Sequence, residues 1–230
     1  MAGGTVRAGG ARGTRPPGAS VDLRRSRSIR TRREIIEAVI ELVESGNGQP
    51  TVAEVAEQAG ISVRSIYWHF GHAGLVFTTA AELQSSRYRA LIGHIPSHVP
   101  VATRVLVLCR QRRRLFEAMD PVMRSGQGSK GAGPFLRVVL AECESDLRHQ
   151  LATALRPEIA LFGQEGWFLF ESLHQATGWQ SWHRLRIESG RTATDAERHM
   201  VFTVSTLLTS SPTPRDAPRA HPPSDHGLSL

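Results

Sequence analysis

Arg64, Ser65, Tyr67, Trp68 and His69 put a guanidinium, a hydroxyl, a phenol, an indole and an imidazole on one short stretch of chain. Spread over about two turns of exposed helix, those groups suit the edge of a nucleic-acid groove. Arginine can bond guanine bidentately, serine and tyrosine can bond phosphate, and rings can pack on a sugar or a thymine methyl. The other reactive groups do not assemble into a reaction centre. Of the ten histidines, His94 and His98 are four apart but have Pro96 between them, and His149, His174 and His183 stand alone. No nucleophile elbow, zinc motif or dinucleotide-binding glycine pattern is present. An enzyme is not expected, and neither a metal nor a cofactor is implied.

The elements that must position the polar group are short. Val63, Ile66 and Phe70 follow a helical rhythm and are expected to face inward, leaving the polar residues outside. Ser62 can cap that helix. Ahead of it, Thr51 and Glu54 form a capping-box pattern, and Val52, Val55, Ala56 and Ala59 line one face of a preceding helix. Gly60 supplies the left-handed residue that stops it. Thr31-Arg32-Arg33-Glu34 repeats the capping pattern and is expected to open a first helix, which Ser45-Gly46-Asn47-Gly48 ends. Three helices of this kind make a helix-turn-helix head whose last helix enters the major groove.

The run Ala59-Gly60-Ile61-Ser62-Val63-Arg64-Ser65-Ile66-Tyr67-Trp68-His69-Phe70 resembles the DNA-binding domain of TetR-family transcriptional regulators, and the likeness covers about residues 29 to 80. The family pattern is alanine, glycine, an aliphatic and serine, then variable residues before an aromatic, any residue, histidine and phenylalanine. The resemblance implies an all-α protein, a three-helix DNA-binding head followed by a helical ligand-binding and dimerisation body. Arg64, Ser65, Tyr67 and Trp68 would read or position, while Thr51, Ser62 and His69 would hold phosphates. The run Gly71-His72-Ala73-Gly74-Leu75 departs from the family, which usually has a small cap residue and an acid there. The phosphate contact that the family makes from the start of the fourth helix is therefore not expected in its usual form, though His72 could partly replace it.

Charge is concentrated at the start of the chain. Residues 1 to 33 hold nine arginines and one acid, a net +8, whereas the whole chain is +7 and its remainder is close to neutral at −1. Residues 1–27 read as a disordered basic arm. Arg30, Arg32 and Arg33 lie where they could neutralise phosphates or reach a minor groove. Residues 28–75 form the expected head, 76–210 the body and 211–230 a Pro- and Ser-rich free tail. No stretch approaches the ~20 apolar residues of a membrane span. With no secretory signal and two distant cysteines, Cys109 and Cys143, the cytoplasm is the expected compartment.

The body reads as helical throughout. Val101 to Met119 is amphipathic, with Asp120-Pro121 expected to break or kink it; Arg110, Arg112, Arg113 and Arg114 could bind an acid, but a solvated face with one or two structural ion pairs is the favoured reading. Phe135 to Leu155 and a short helix from Pro157 follow. Thr194-Asp195-Ala196-Glu197 is expected to cap the last helix. By the resemblance, the last two long helices pair with a second copy as a four-helix bundle. A small effector of unknown identity would lie against Phe116, Met119, Met123, Phe135, Leu136, Trp167 and Phe170, with His174 or Arg113 as polar contact. The implied partners are a double-stranded DNA operator, a second subunit and that effector.

Overall fold

In the computed structural model, residues 17–126 and 133–209 are described, with side chains from residue 24 onward. The first part of the expected arm, residues 127–132 and the expected tail lie outside them. Ten α-helices and no strand occur among the described residues: α1 (Pro17–Glu44), α2 (Val52–Gln58), α3 (Val63–Phe70), α4 (Ala73–Arg89), α5 (Val101–Ser125), α6 (Pro134–Ala154), α7 (Arg156–Leu161), α8 (Gly166–Ala176), α9 (Trp179–His183) and α10 (Ala193–Thr209). A 3₁₀ turn precedes α8, and a π-helical turn, Arg184–Glu188, follows α9. The all-α expectation holds. No described helix is long and apolar enough to cross a membrane.

Three boundaries differ from the sequence reading. First, α1 begins at Pro17, so residues 17–27 of the expected disordered arm are helical and Thr31 lies mid-helix rather than at a cap. Proline is tolerated in a first helical turn, and beyond Gly18 in that same turn the arginine-rich stretch contains no further helix breaker. Second, α5 runs through Pro121 to Ser125. Val122, fully buried one residue past the proline, and buried Met119 before it anchor both sides by packing, which offsets the lost backbone bond. Third, α10 is capped two residues earlier than expected: the Asp195 amide donates to Thr192 Oγ1 at 3.1 Å, and that hydroxyl donates to Asp195 Oδ2 at 2.6 Å.

The chain forms two compact units, residues 1–86 with 121–140, and residues 87–120 with 141–230. These do not coincide with the expected division at residues 75 and 76. The first owes its core to Ile35, Val39, Val43, Val55, Ile66, Phe70, Val76 and Phe135. Its supporting turn after α1 is closely packed: a Cβ on Gly48 would lie 2.3 Å from the Ser125 carbonyl oxygen, so no other residue fits there. The second unit is built on Leu108, Leu115, Phe116, Leu147, Leu151 and Leu173, with α8 and α10 packed together.

Candidate nucleic-acid interface

The turn between α2 and α3 is made by caps and one glycine. The Thr51 amide donates to Glu54 Oε2 at 2.6 Å and the Glu54 amide donates to Thr51 Oγ1 at 3.2 Å, closing the expected capping box. Gly60 has φ +65°, where a side chain would be strained. The Ser65 amide then donates to Ser62 Oγ at 3.2 Å and starts α3. Ile66 and Phe70 point into the core as predicted. Val63 does not: at the first position of α3 no preceding turn covers it, and it is 37 % exposed.

The outer face of α3 carries Arg64, Tyr67 and Trp68. The Trp68 indole is 76 % exposed and Tyr67 is also exposed, although burying such rings is ordinarily favourable. Arg64 is exposed, and among the described residues it has no ion-pair partner. Ser65 is half-buried, with its hydroxyl 2.9 Å from that of Ser62. Arg64, Tyr67 and Trp68 are thus the groups of the expected reading set that are open to a groove.

Other expected contacts are committed to the protein. The half-buried Arg32 donates to the His69 carbonyl and lies 4.3 Å from the centre of the Phe70 ring, so it fixes the end of α3. His69 is half-buried, edge-on to Trp68 at 4.7 Å. Burial first, and then the Arg32 charge, lower its pKa below the usual imidazole value, keeping the ring neutral near pH 7. The neutral ring packs against the Trp68 indole. Arg30 and Arg33 pair with Glu34 and Glu37 at 3.7 and 4.0 Å along α1, leaving exposed guanidinia at the rim of a groove with Gln58. The Thr51 hydroxyl is also engaged, donating to Glu54 Oε2 at 2.8 Å.

The atypical junction after α3 has a local solution that the sequence reading missed. Gly71, at φ +76°, ends α3, and the Leu75 amide donates to His72 Nδ1 at 3.2 Å. An imidazole therefore stands in for the usual small capping residue of α4. The signal was in the spacing, since His72 is three residues before Leu75 as a cap requires.

The residues expected to line an effector pocket are not gathered around a described cleft. Phe116 is fully buried between Trp179 and Trp182, with ring centres 5.7 and 5.9 Å away. Met119 is core and receives the Cys143 thiol at 3.5 Å, Phe135 and Leu136 are buried, and Met123 is half-buried. Trp167 lies on the surface, 60 % exposed and stacked on Phe168 at 3.6 Å. Phe170 lies under the Arg148 guanidinium, Arg113 pairs with Glu197 at 3.0 Å, and His174 Nε2 bonds Glu144 Oε1 at 2.6 Å. Clefts do occur among the described residues of the second unit. One, of about 280 Å³, lies among Arg89, His94, Asp146, His149 and Gln150; another, of about 190 Å³, lies among Glu117, Asp120, Trp179, Trp182 and Arg186. No group of three or more potential metal ligands occurs among the described residues.

Residues 35–72 match the sequence model of the bacterial regulatory proteins of the tetR family, a span that holds α2, α3 and most of the core side of α1. No curated protein matches the chain. A crystal structure of a protein from Mesorhizobium loti, assigned as a TetR-family transcriptional regulator, is similar over 79 % of this chain and 96 % of its own length, with a TM-score of 0.54 and 19 % identity. At that identity the likeness speaks to the fold, and it extends well past the matched head.

Proposed function

We infer, from the match of residues 35–72 to the tetR-family model, that the chain is a DNA-binding regulator and acts as a ligand-responsive homodimeric repressor. The observation that carries this reading is the outer face of α3. Arg64, Tyr67 and Trp68 stand exposed on a helix held by two caps, a turn glycine and Arg32. In a two-fold dimer, the two α3 helices enter successive major grooves about 34–36 Å apart. Arg64 and Tyr67 contact base edges or phosphates, Trp68 packs on sugar or a thymine methyl, and Arg30 and Arg33 add phosphate attraction from α1.

The dimer reading rests on apolar side chains left in the open. Trp167 and Phe168 on α8 and Phe202 on α10 are all at least half exposed, and the two helices pack together. Such a patch is the expected signature of a surface covered by a second copy. Effector control follows if a small molecule in the helical body prefers the state that does not bind DNA.

Selection of genomic fragments by the purified protein at ~0.15 M salt tests the reading, because nonspecific contacts are already weakened there. Enrichment of a palindrome supports the dimeric regulator. Unselective recovery that vanishes with modest added salt would instead assign the affinity to basic residues alone. Arg64→Ala is expected to cost ~1–3 kcal/mol at one base position if its contact is bidentate, and an equal loss on all sequences would move it to the backbone.

A further inference from the structure

Arg112, midway along α5, is a buried cation with no ion pair among the described residues, the carboxylate that bears on it being Glu144. It is 1 % exposed, and its one hydrogen bond goes from Nη2 to the Leu147 carbonyl at 2.7 Å. Its Nε and Nη1 are buried without a partner. Each carboxylate in the surroundings is taken by another cation or ring: Glu144 by His174 at 2.6 Å, Asp146 by Arg89 at 2.9 Å, and Glu197 by Arg113 at 3.0 Å. Cys109 and Cys143 also bear on Arg112, but burial pushes both thiols up to about 12, so neither is a thiolate at neutral pH. Burial lowers the guanidinium only to about 10, so it stays protonated at pH 7.

A lone buried charge with spare donors is strongly unfavourable unless an anion completes it. The rest of the neighbourhood indicates which anion. Cys109, Cys143, Leu108, Leu115 and Leu147 are buried and apolar, and Met119 touches Cys143. A single guanidinium in such surroundings matches one negative charge on an apolar molecule, not a multiply charged phosphate. His174, 6 % exposed and bonded to Glu144, adds a second buried polar atom, Nδ1, that has no partner.

We propose that Arg112 anchors the carboxylate of a small apolar acid within the helical body. The free N–H groups of the guanidinium hold the carboxylate, and the sulfur and leucine side chains take its tail. This names the chemical class of the effector and rests on the ligand-responsive reading above. Neither described cleft of this unit is lined by Arg112, so the acid enters by parting α5 and α6 around it, and binding is thereby linked to helix movement.

The test is thermal unfolding of the full-length protein titrated with sodium octanoate, with octanol, octanamide and sodium chloride as controls. The expected result is a concentration-dependent rise in Tm with octanoate alone. Arg112→Met should abolish that response, weakening apparent affinity at least tenfold, while being no less stable than the parent. Arg112→Lys, which keeps the charge but not the planar fork, should retain a weakened response. Failure of octanoate to act, an equal rise with chloride, or a response unchanged in Arg112→Met overturns the proposal. So does a Met variant that unfolds while the Lys variant keeps full stability without answering to octanoate. Operator retention is measured on the same samples: no DNA binding by the ligand-free parent defeats the regulator reading, release of DNA by octanoate supports both readings, and intact DNA binding with no octanoate effect on Tm defeats only the anchor.

Discussion

Two buried arginines on the same helix are treated in opposite ways. Arg104, near the start of α5, is 4 % exposed and fully committed: it donates to the Val99 carbonyl at 2.6 Å, to the Ala154 carbonyl, and to both Glu158 oxygens at 2.8 and 2.5 Å. Arg112, two turns on, is more deeply buried yet has one neutral acceptor. The first guanidinium ties α5 to the α6–α7 corner. The second makes one neutral bond, to Leu147 of α6, and among the described residues no anion offsets its desolvation. Burial of a charge is therefore not by itself a structural device in this fold; the acceptors around it decide.

Four substitutions or titrations should break or sharpen that contrast. The largest effect is expected for Glu158→Gln, which leaves Arg104 buried without its anion and should lower unfolding free energy in urea by ~3 kcal/mol. Arg112→Met should move the other way, raising stability by ~1–2 kcal/mol, because it removes a buried charge and keeps the volume. Equal losses from both would erase the distinction. The third is a pH series. Hydrogen bonding to Arg104 holds the Glu158 carboxyl below its ordinary 4.5. A depressed acid contributes stability above the unfolded value and loses it as pH falls through the folded one. The gap between parent and Glu158→Gln should be full at pH 7 and shrink progressively below 4.5. At the alkaline end, a lowered arginine pKa makes the folded state gain as pH rises past about 10, so the Arg112→Met advantage should narrow there. The smallest effect belongs to the half-buried Arg113, whose pair with Glu197 should be worth only ~0.5–1 kcal/mol in a double-mutant cycle.

The head was legible because its instructions are local. Caps, a turn glycine and a polar–apolar division within α3 lie within twenty residues, and the structure follows all of them except at Val63. The capping pattern at Thr31 misled because hydroxyl and carboxylate spacing marks a start only where the preceding residues cannot be helical, and those before Thr31 can. The body's helices were readable from their period, but what covers each apolar face was not. Phe116 and Trp167 look alike in sequence; one is sealed between two tryptophans and the other lies open. Arg112 was hidden in a cluster of four arginines, Arg110 and Arg112 to Arg114. Its clue was helical spacing: Leu108, Cys109, Leu115 and Phe116 all lie three or four residues from it and are all buried, so it shares their stripe.

The close seat of Gly48 against the Ser125 carbonyl also bears on the order in which the chain is made. The compact unit that contains α2 and α3 is discontinuous, residues 1–86 completed by 121–140, with more than thirty residues of the other unit between them. On the ribosome, α3 emerges early, but the segment that packs under its supporting turn arrives only after most of α5 has been synthesised. A chain released before Pro121 carries the reading residues without that seat. On the function proposed above, prematurely terminated products should consequently bind DNA more weakly than the full chain.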